Sequence, residues 1–137
     1  MDYKELIRFA FDAAEKSYSP YSRFKVGAAV LSKDGRVFTG ANIENASYSV
    51  TNCAERVALQ NAVFEGAREF EAVAVVGFKE GETADFCPPC GVCRQAFSEF
   101  SKDGSLKIVL AKSEDDFKVY TLNELMPETF GTRRIVL

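Results

Sequence analysis

The chain has 137 residues, 47% hydrophobic and 27% charged, with a formal net charge of −3. That is enough for one compact domain, here 1–137, and too few for two ordinary ones. The composition is that of a soluble globular chain, and without a basic run it offers little to nucleic acid.

Residues 3–17 read as an amphipathic helix capped by Asp2, with Leu6, Ile7, Ala10, Phe11 and Ala14 at helical spacing. Pro20 then breaks it. Strands are predicted over 24–31 and 36–41, joined by Ser32-Lys33-Asp34-Gly35, whose Asp-Gly pair is a hairpin signal. The small residues Gly27, Ala28 and Ala29 point either to a helix packed closely on the first strand, the favoured reading, or to a ligand approaching its backbone. Residues 42–48 form a polar loop at a strand end and, on composition alone, read as a solvated connection. A helix over 53–64 follows, capped by Thr51 or Asn52 and ended by Gly66.

The apolar run 70–78 fits a central strand covered on both faces. A charged loop, then Pro88 and Pro89, lead to a third helix over 91–100. Strands at 106–111 and 117–120 come next. Thr121 and Glu124 make a capping box for a short helix reaching Met126. These elements make one α/β domain, a mixed sheet with helices on both faces. No apolar run approaches a membrane span. The N-terminal residues lack the apolar stretch of a signal peptide, so the cytoplasm is the expected compartment.

The chain contains no histidine, which removes Ser-His-Asp and Cys-His catalysis and restricts any transition-metal site to Cys, Asp or Glu. The cysteines are Cys53, Cys87, Cys90 and Cys93. In a reducing cytosol, clustered cysteines point to metal or redox chemistry. Cys53 and the Cys90-x-x-Cys93 pair both fall at predicted helix starts, where the positive end of the helix favours the thiolate. Three such ligands leave a fourth tetrahedral position for water, as in catalytic zinc sites. Glu55, in the same turn as Cys53, is placed to carry protons. Three thiolates around Zn²⁺ leave a net negative charge. Arg56 and Arg94 are expected to offset it by donating to sulfur, the alternative for each being an ordinary ion pair.

Cys53-Ala54-Glu55 together with Pro89-Cys90-Gly91-Val92-Cys93 resembles the motif pair of zinc-dependent nucleoside and base deaminases, a motif known in general form with its three-cysteine variant. Residues 19–29, 42–48, 52–56 and 90–95, with Leu125-Met126-Pro127 and Phe130, extend the likeness to the small homotetrameric cytidine deaminases. The resemblance implies a three-layer α/β/α fold with a five-stranded mixed sheet. It implies one zinc per chain, held by Cys53, Cys90 and Cys93, with Glu55 as proton shuttle. The implied reaction is hydrolysis of cytidine and 2′-deoxycytidine to the uridines and ammonia, a step of pyrimidine salvage. Asn42 and Glu44 match residues that bind the ribose, chiefly its 3′-hydroxyl. Phe24 matches an aromatic packed on the nucleoside, and the Ala54 N–H a donor to the pyrimidine carbonyl. Tyr48 and Phe130 match residues reaching a neighbouring subunit's site in a homotetramer. On this reading the 42–48 loop is a sugar clamp.

Cys87 departs from the family pattern. Cys87-Pro88-Pro89-Cys90 imitates a thioredoxin-type motif and permits a ligand set that includes Cys87. Pro89 directly before Cys90 favours Cys90 and Cys93 as the ligands. Three other readings stand beside the leading one. They are a structural Cys₄ zinc module, a thiol–disulfide exchanger using Cys87 and Cys90, and a deaminase of the same fold acting on blasticidin or a free base. Asn42-x-Glu44 argues for a ribose, and no cationic phosphate pocket is evident in the sequence. Residues 132–137 fall outside the resemblance.

Overall fold

In a computed structural model of the protein, residues 1–131 are described. The C-terminal residues 132–137, apart from the resemblance in sequence, lie outside the described residues. Five strands form one mixed sheet: β1 (Phe24–Ser32), β2 (Val37–Ala41), β3 (Phe70–Lys79), β4 (Lys107–Ser113) and β5 (Asp116–Thr121). Their order is β2-β1-β3-β4-β5. The β3–β4 pair is parallel and the others antiparallel. A parallel pair needs a crossover, and helix α3 (Gly91–Ser98) supplies it.

Alternation along the strands divides the core in two. Leu6, Ile7, Ala10 and Ala14 of helix α1 (Tyr3–Ala14) meet Ala29, Leu31, Ala72, Ala74 and Val76 on one face. Helix α2 (Ala54–Phe64), α3 and helix α4 (Leu122–Leu125) cover the other, against Ala28, Val30, Val73, Val75, Ile108 and Leu110. The sheet is therefore sandwiched between helices, as the sequence pattern predicts.

Two glycines allow this closeness. A Cβ on Gly27 would lie 2.0 Å from the Ala10 carbonyl oxygen, so α1 does pack tightly on β1. One on Gly40 would lie 2.4 Å from the Ala58 nitrogen of α2.

Asp2 caps α1, and Thr121 with Glu124 forms the expected capping box. Helix α1 stops at Ala14 rather than 17 because the chain there turns to join the next segment. Tyr18 N–H donates to the Asn42 carbonyl at 3.0 Å, and Glu44 N–H to the Tyr18 carbonyl at 2.8 Å. Helix α3 likewise ends at Ser98 rather than 100. The cap of α2 is Cys53, not Thr51 or Asn52. No helix among the described residues is long and apolar enough to cross a membrane.

Candidate metal centre and nucleoside site

Cys53 is the N-cap of α2 and Cys90 the N-cap of α3, and neither side chain hydrogen-bonds its own helix. The first N–H groups of each helix have no intrahelical acceptor, so both ends present donors and positive partial charge. Cys93 lies one turn into α3 and is fully buried. The Sγ atoms of Cys53, Cys90 and Cys93 all lie within 4.8 Å of one another, with Cys90 and Cys93 3.8 Å apart.

That donor set fits zinc. Without a cation the three sulfurs cannot all be ionised. The Cys93 thiol donates to Cys53, and with help from Arg56 the Cys53 thiol falls to about 5. Cys93 itself is pushed far up, chiefly by that same bond and by burial. One thiolate thus forms at the expense of another, and a divalent ion is what would let all three ionise together.

Glu55 is 4% exposed in the first turn of α2. Burial is the main cause that raises its carboxyl to about 7, and the negative charge on Cys53 adds to it. A carboxyl near neutrality both takes up and releases protons.

Arg56 reaches sulfur as expected, its Nη2 lying 3.5 Å from Cys53 Sγ and 3.4 Å from the Thr51 carbonyl oxygen. Arg94 does not. Its Nε donates to the Pro89 carbonyl at 2.7 Å and its Nη1 to the Leu125 carbonyl at 2.6 Å. It therefore fastens the turn before Cys90 to the end of α4. The expected donation from Arg94 to sulfur is therefore corrected: among the described residues its hydrogen bonds run to these two carbonyls, because its guanidinium is turned toward the end of α4.

Cys87 is outside the three-sulfur group. Its thiol packs on the backbone of Gly77, where a Cβ would lie 2.8 Å from the sulfur. The ring of Phe24 occupies the other side of that gap, with Cε1 2.9 Å from the same point. All four cysteines are free thiols.

The 42–48 segment is not merely a solvated connection. Asn42 is buried; its Nδ2 donates to the Phe24 carbonyl at 2.8 Å, and its Oδ1 accepts from Val26 N–H at 3.0 Å and from Ser17 Oγ. Glu44 accepts from the N–H groups of Tyr21 and Ser22 at 3.0 and 3.1 Å and from the Ser22 hydroxyl. Although desolvation pushes the Glu44 carboxyl up, these three donors hold it below its ordinary value. An open cavity beside it is lined by Tyr21, Ser22, Glu44, Tyr48 and Thr51.

Ala54 is buried at the α2 start. Tyr48 and Phe130 stand 76% and 62% exposed. The Tyr48 ring meets that of Tyr21 edge-on at 6.3 Å. Gln95 Nε2 donates to the Phe130 carbonyl at 2.9 Å. Sequence reasoning gave no role to Ser17 or Ser22; both lie near the Pro20 turn, where a hydroxyl is an ordinary turn residue, and only the fold reveals their acidic and amide partners.

Residues 1–109, which include all three clustered cysteines and Glu55, match the family model described as the cytidine and deoxycytidylate deaminase zinc-binding region. The chain belongs to the cytidine deaminase family. A cytidine deaminase from Halalkalibacterium halodurans is 49% identical over 130 residues, 95% of each chain. One from Sporosarcina psychrophila is 45% identical over 131 residues, covering 96% of this chain and 93% of the relative. The crystal structure of a cytidine deaminase from Burkholderia pseudomallei is 46% identical, with a TM-score of 0.85 over 95% of this chain and all of that one. The five-stranded mixed sheet with its flanking helices is thus the deaminase fold, and the three-cysteine cluster is its zinc centre.

Proposed function

We propose that this protein hydrolyses cytidine and 2′-deoxycytidine to uridine and 2′-deoxyuridine with release of ammonia, in pyrimidine salvage in the cytoplasm. The observation that carries the reading is the three-sulfur cluster beside a buried glutamate, in a chain of this family. The whole of 1–137 acts as one zinc-binding domain in this reading.

Cys53, Cys90 and Cys93 would hold the zinc. When bound, zinc supplies Lewis acidity that makes water a competent nucleophile near neutral pH. The protein's own part is proton handling and positioning. Overall, water adds its oxygen to C4 of the cytosine ring, the C4–N bond breaks, and the amine leaves as ammonia. Glu55 takes one proton from the incoming water and places it on N3, then takes the second from the oxygen now on C4 and gives it to the leaving amine, so that C4 keeps the oxygen as a carbonyl. Its burial keeps bulk water from competing for that proton, and a carboxyl near 7 transfers it in either direction. The Ala54 N–H, unused by its helix, donates to the pyrimidine carbonyl. Phe24 packs on the nucleoside, while Asn42 and Glu44 bind the ribose. Arg56 tempers the negative charge on Cys53. The working unit is a homotetramer in which Tyr48 and Phe130 complete a neighbouring subunit's site.

An ultraviolet assay on cytidine, deoxycytidine, cytosine and the monophosphates CMP and dCMP, with a metal count, tests the reading. Turnover of the two nucleosides with one zinc per chain is expected. Glu55→Gln should keep its zinc and lose at least roughly a thousandfold in kcat, the scale of a lost general acid–base group. A zinc-loaded variant of near-normal activity would refute the role given to Glu55, and preference for the free base or a monophosphate would refute the substrate.

A further inference from the structure

Ser22 lies at the tip of the turn between α1 and β1, and its hydroxyl is committed on both sides. It accepts from the Phe24 N–H at 3.0 Å and donates to Glu44 Oε2. A hydroxyl has one proton, so with Phe24 supplying the accepted bond, that proton is directed at the carboxylate. The other carboxylate oxygen, Oε1, accepts two backbone N–H groups, from Tyr21 and Ser22. A carboxylate has about four acceptor positions. Among the described residues, Oε1 is therefore filled and Oε2 retains one position, beside the Ser22 hydroxyl.

The turn itself is held in an uncommon shape. Arg23 has φ +57°, a left-handed conformation that residues with a side chain seldom adopt. Its N–H donates to the Ser19 carbonyl at 2.9 Å, and its carbonyl accepts from Glu80 N–H at 2.8 Å. Ser22 thus sits on a backbone pinned from both directions. Phe24, the residue after Arg23, is the aromatic assigned to the nucleoside.

We propose that Ser22 is a positioning residue for sugar recognition: its hydroxyl ties the Glu44 carboxylate to the backbone of Phe24 and aims the one open acceptor position of Oε2 at a hydroxyl of the ribose. The inference rests on the reading that Glu44 binds the sugar. Ser22 does not touch the reacting atoms. It acts by fixing the distance between the group that holds the ribose and the ring that packs on the nucleoside. Without the hydroxyl, Oε2 loses its one fixed donor among the described residues and the carboxylate is free to swing about Oε1, so the sugar meets a less ordered acceptor.

The test is the ratio of kcat/KM for cytidine to that for 3′-deoxycytidine. Ser22→Ala should lower this ratio roughly tenfold, the scale of one hydrogen bond to a charged group. The loss should appear mainly as a higher KM for cytidine, with zinc content kept. Ser22→Thr, which restores the hydroxyl, should recover the ratio. Should Ser22→Ala fold poorly, Ser22→Cys has nearly the same volume and only a weak donor, and carries the same comparison. A purely structural serine would lower both substrates together and leave the ratio at its wild-type value, which overturns the inference. Glu44→Gln separates the two levels. If it leaves the ratio intact, the sugar-binding reading of Glu44 falls; if it collapses the ratio while Ser22→Ala does not, only the role of Ser22 falls.

Discussion

Cys87 is the residue at which sequence and structure differ most in what they allow. In sequence it stands three positions before Cys90 and could complete a Cys₄ site or a redox pair. In the fold its sulfur packs on Gly77 while the other three sulfurs gather around one point. Burial raises its thiol from the ordinary 9.0 to about 11, the nearby charges on Glu55 and Cys53 adding to the effect. The native state therefore keeps a proton that the unfolded chain gives up above pH 9. This contribution to stability is complete below 9 and is lost as pH rises through 11. Cys87→Ala should retain one zinc per chain and cytidine turnover, and its stability should fall less steeply than wild type between pH 9 and 11. Metal analysis and urea denaturation at both pH values check this. Loss of zinc in the variant would restore the Cys₄ reading. The grouping of Cys53, Cys90 and Cys93 was legible from Pro89-Cys90 and the helix starts. The partners of Arg94 were not, because one of its two carbonyls, that of Leu125, is thirty-one residues away along the chain. A charged residue next to a ligand suggests sulfur; only the fold brings the end of α4 against it.

At the scale of elements, α2 carries Cys53 and Glu55 and owes its position to a missing side chain on β2. A methyl group on Gly40 would come within 2.4 Å of the Ala58 nitrogen and 2.7 Å of the Ala54 carbonyl oxygen. Both are backbone atoms of the helix, so neither can rotate aside. Gly40→Ala should destabilise the protein by about 1–3 kcal/mol through overpacking. It should also weaken zinc retention, since moving α2 off β2 moves Cys53 away from Cys90 and Cys93 on α3. The urea midpoint, and zinc kept after dialysis against a chelator, measure the two effects; a variant unchanged in both would show that α2 is not set by this contact. The elements themselves were readable because burial alternates along the strands: Ala28 and Val30 face one helical layer, and Ala29 and Leu31 the other. The cap of α2, though not its extent, was misassigned by the rule that oxygen side chains cap helices. Here the N-cap is a cysteine whose sulfur serves the metal cluster instead, so a functional demand overrides the local preference.

For the whole molecule, the informative surface is apolar. Phe64 is 89% exposed at the end of α2, and Tyr48, Val50 and Phe130 also project large apolar groups into solvent. Scattered exposed side chains need no explanation, but aromatic groups are enriched where protein surfaces meet. Tyr48 and Phe130 are also the two residues assigned to a neighbouring subunit's site, so assembly and catalysis are coupled in the proposed tetramer. Each chain is 15.2 kDa. Light scattering should give about four times that mass, as the proposed homotetramer requires. Dilution that dissociates the tetramer should lower activity per chain while zinc stays bound, since the three sulfurs come from one chain. Phe130→Ala should reduce kcat/KM for cytidine without changing the metal count. Mixed with an excess of Glu55→Gln chains, Phe130→Ala should regain activity, because its intact Glu55 then sits in a site completed by a neighbour's Phe130. A monomer with full activity, or a mixture no better than its parts, would overturn the shared site.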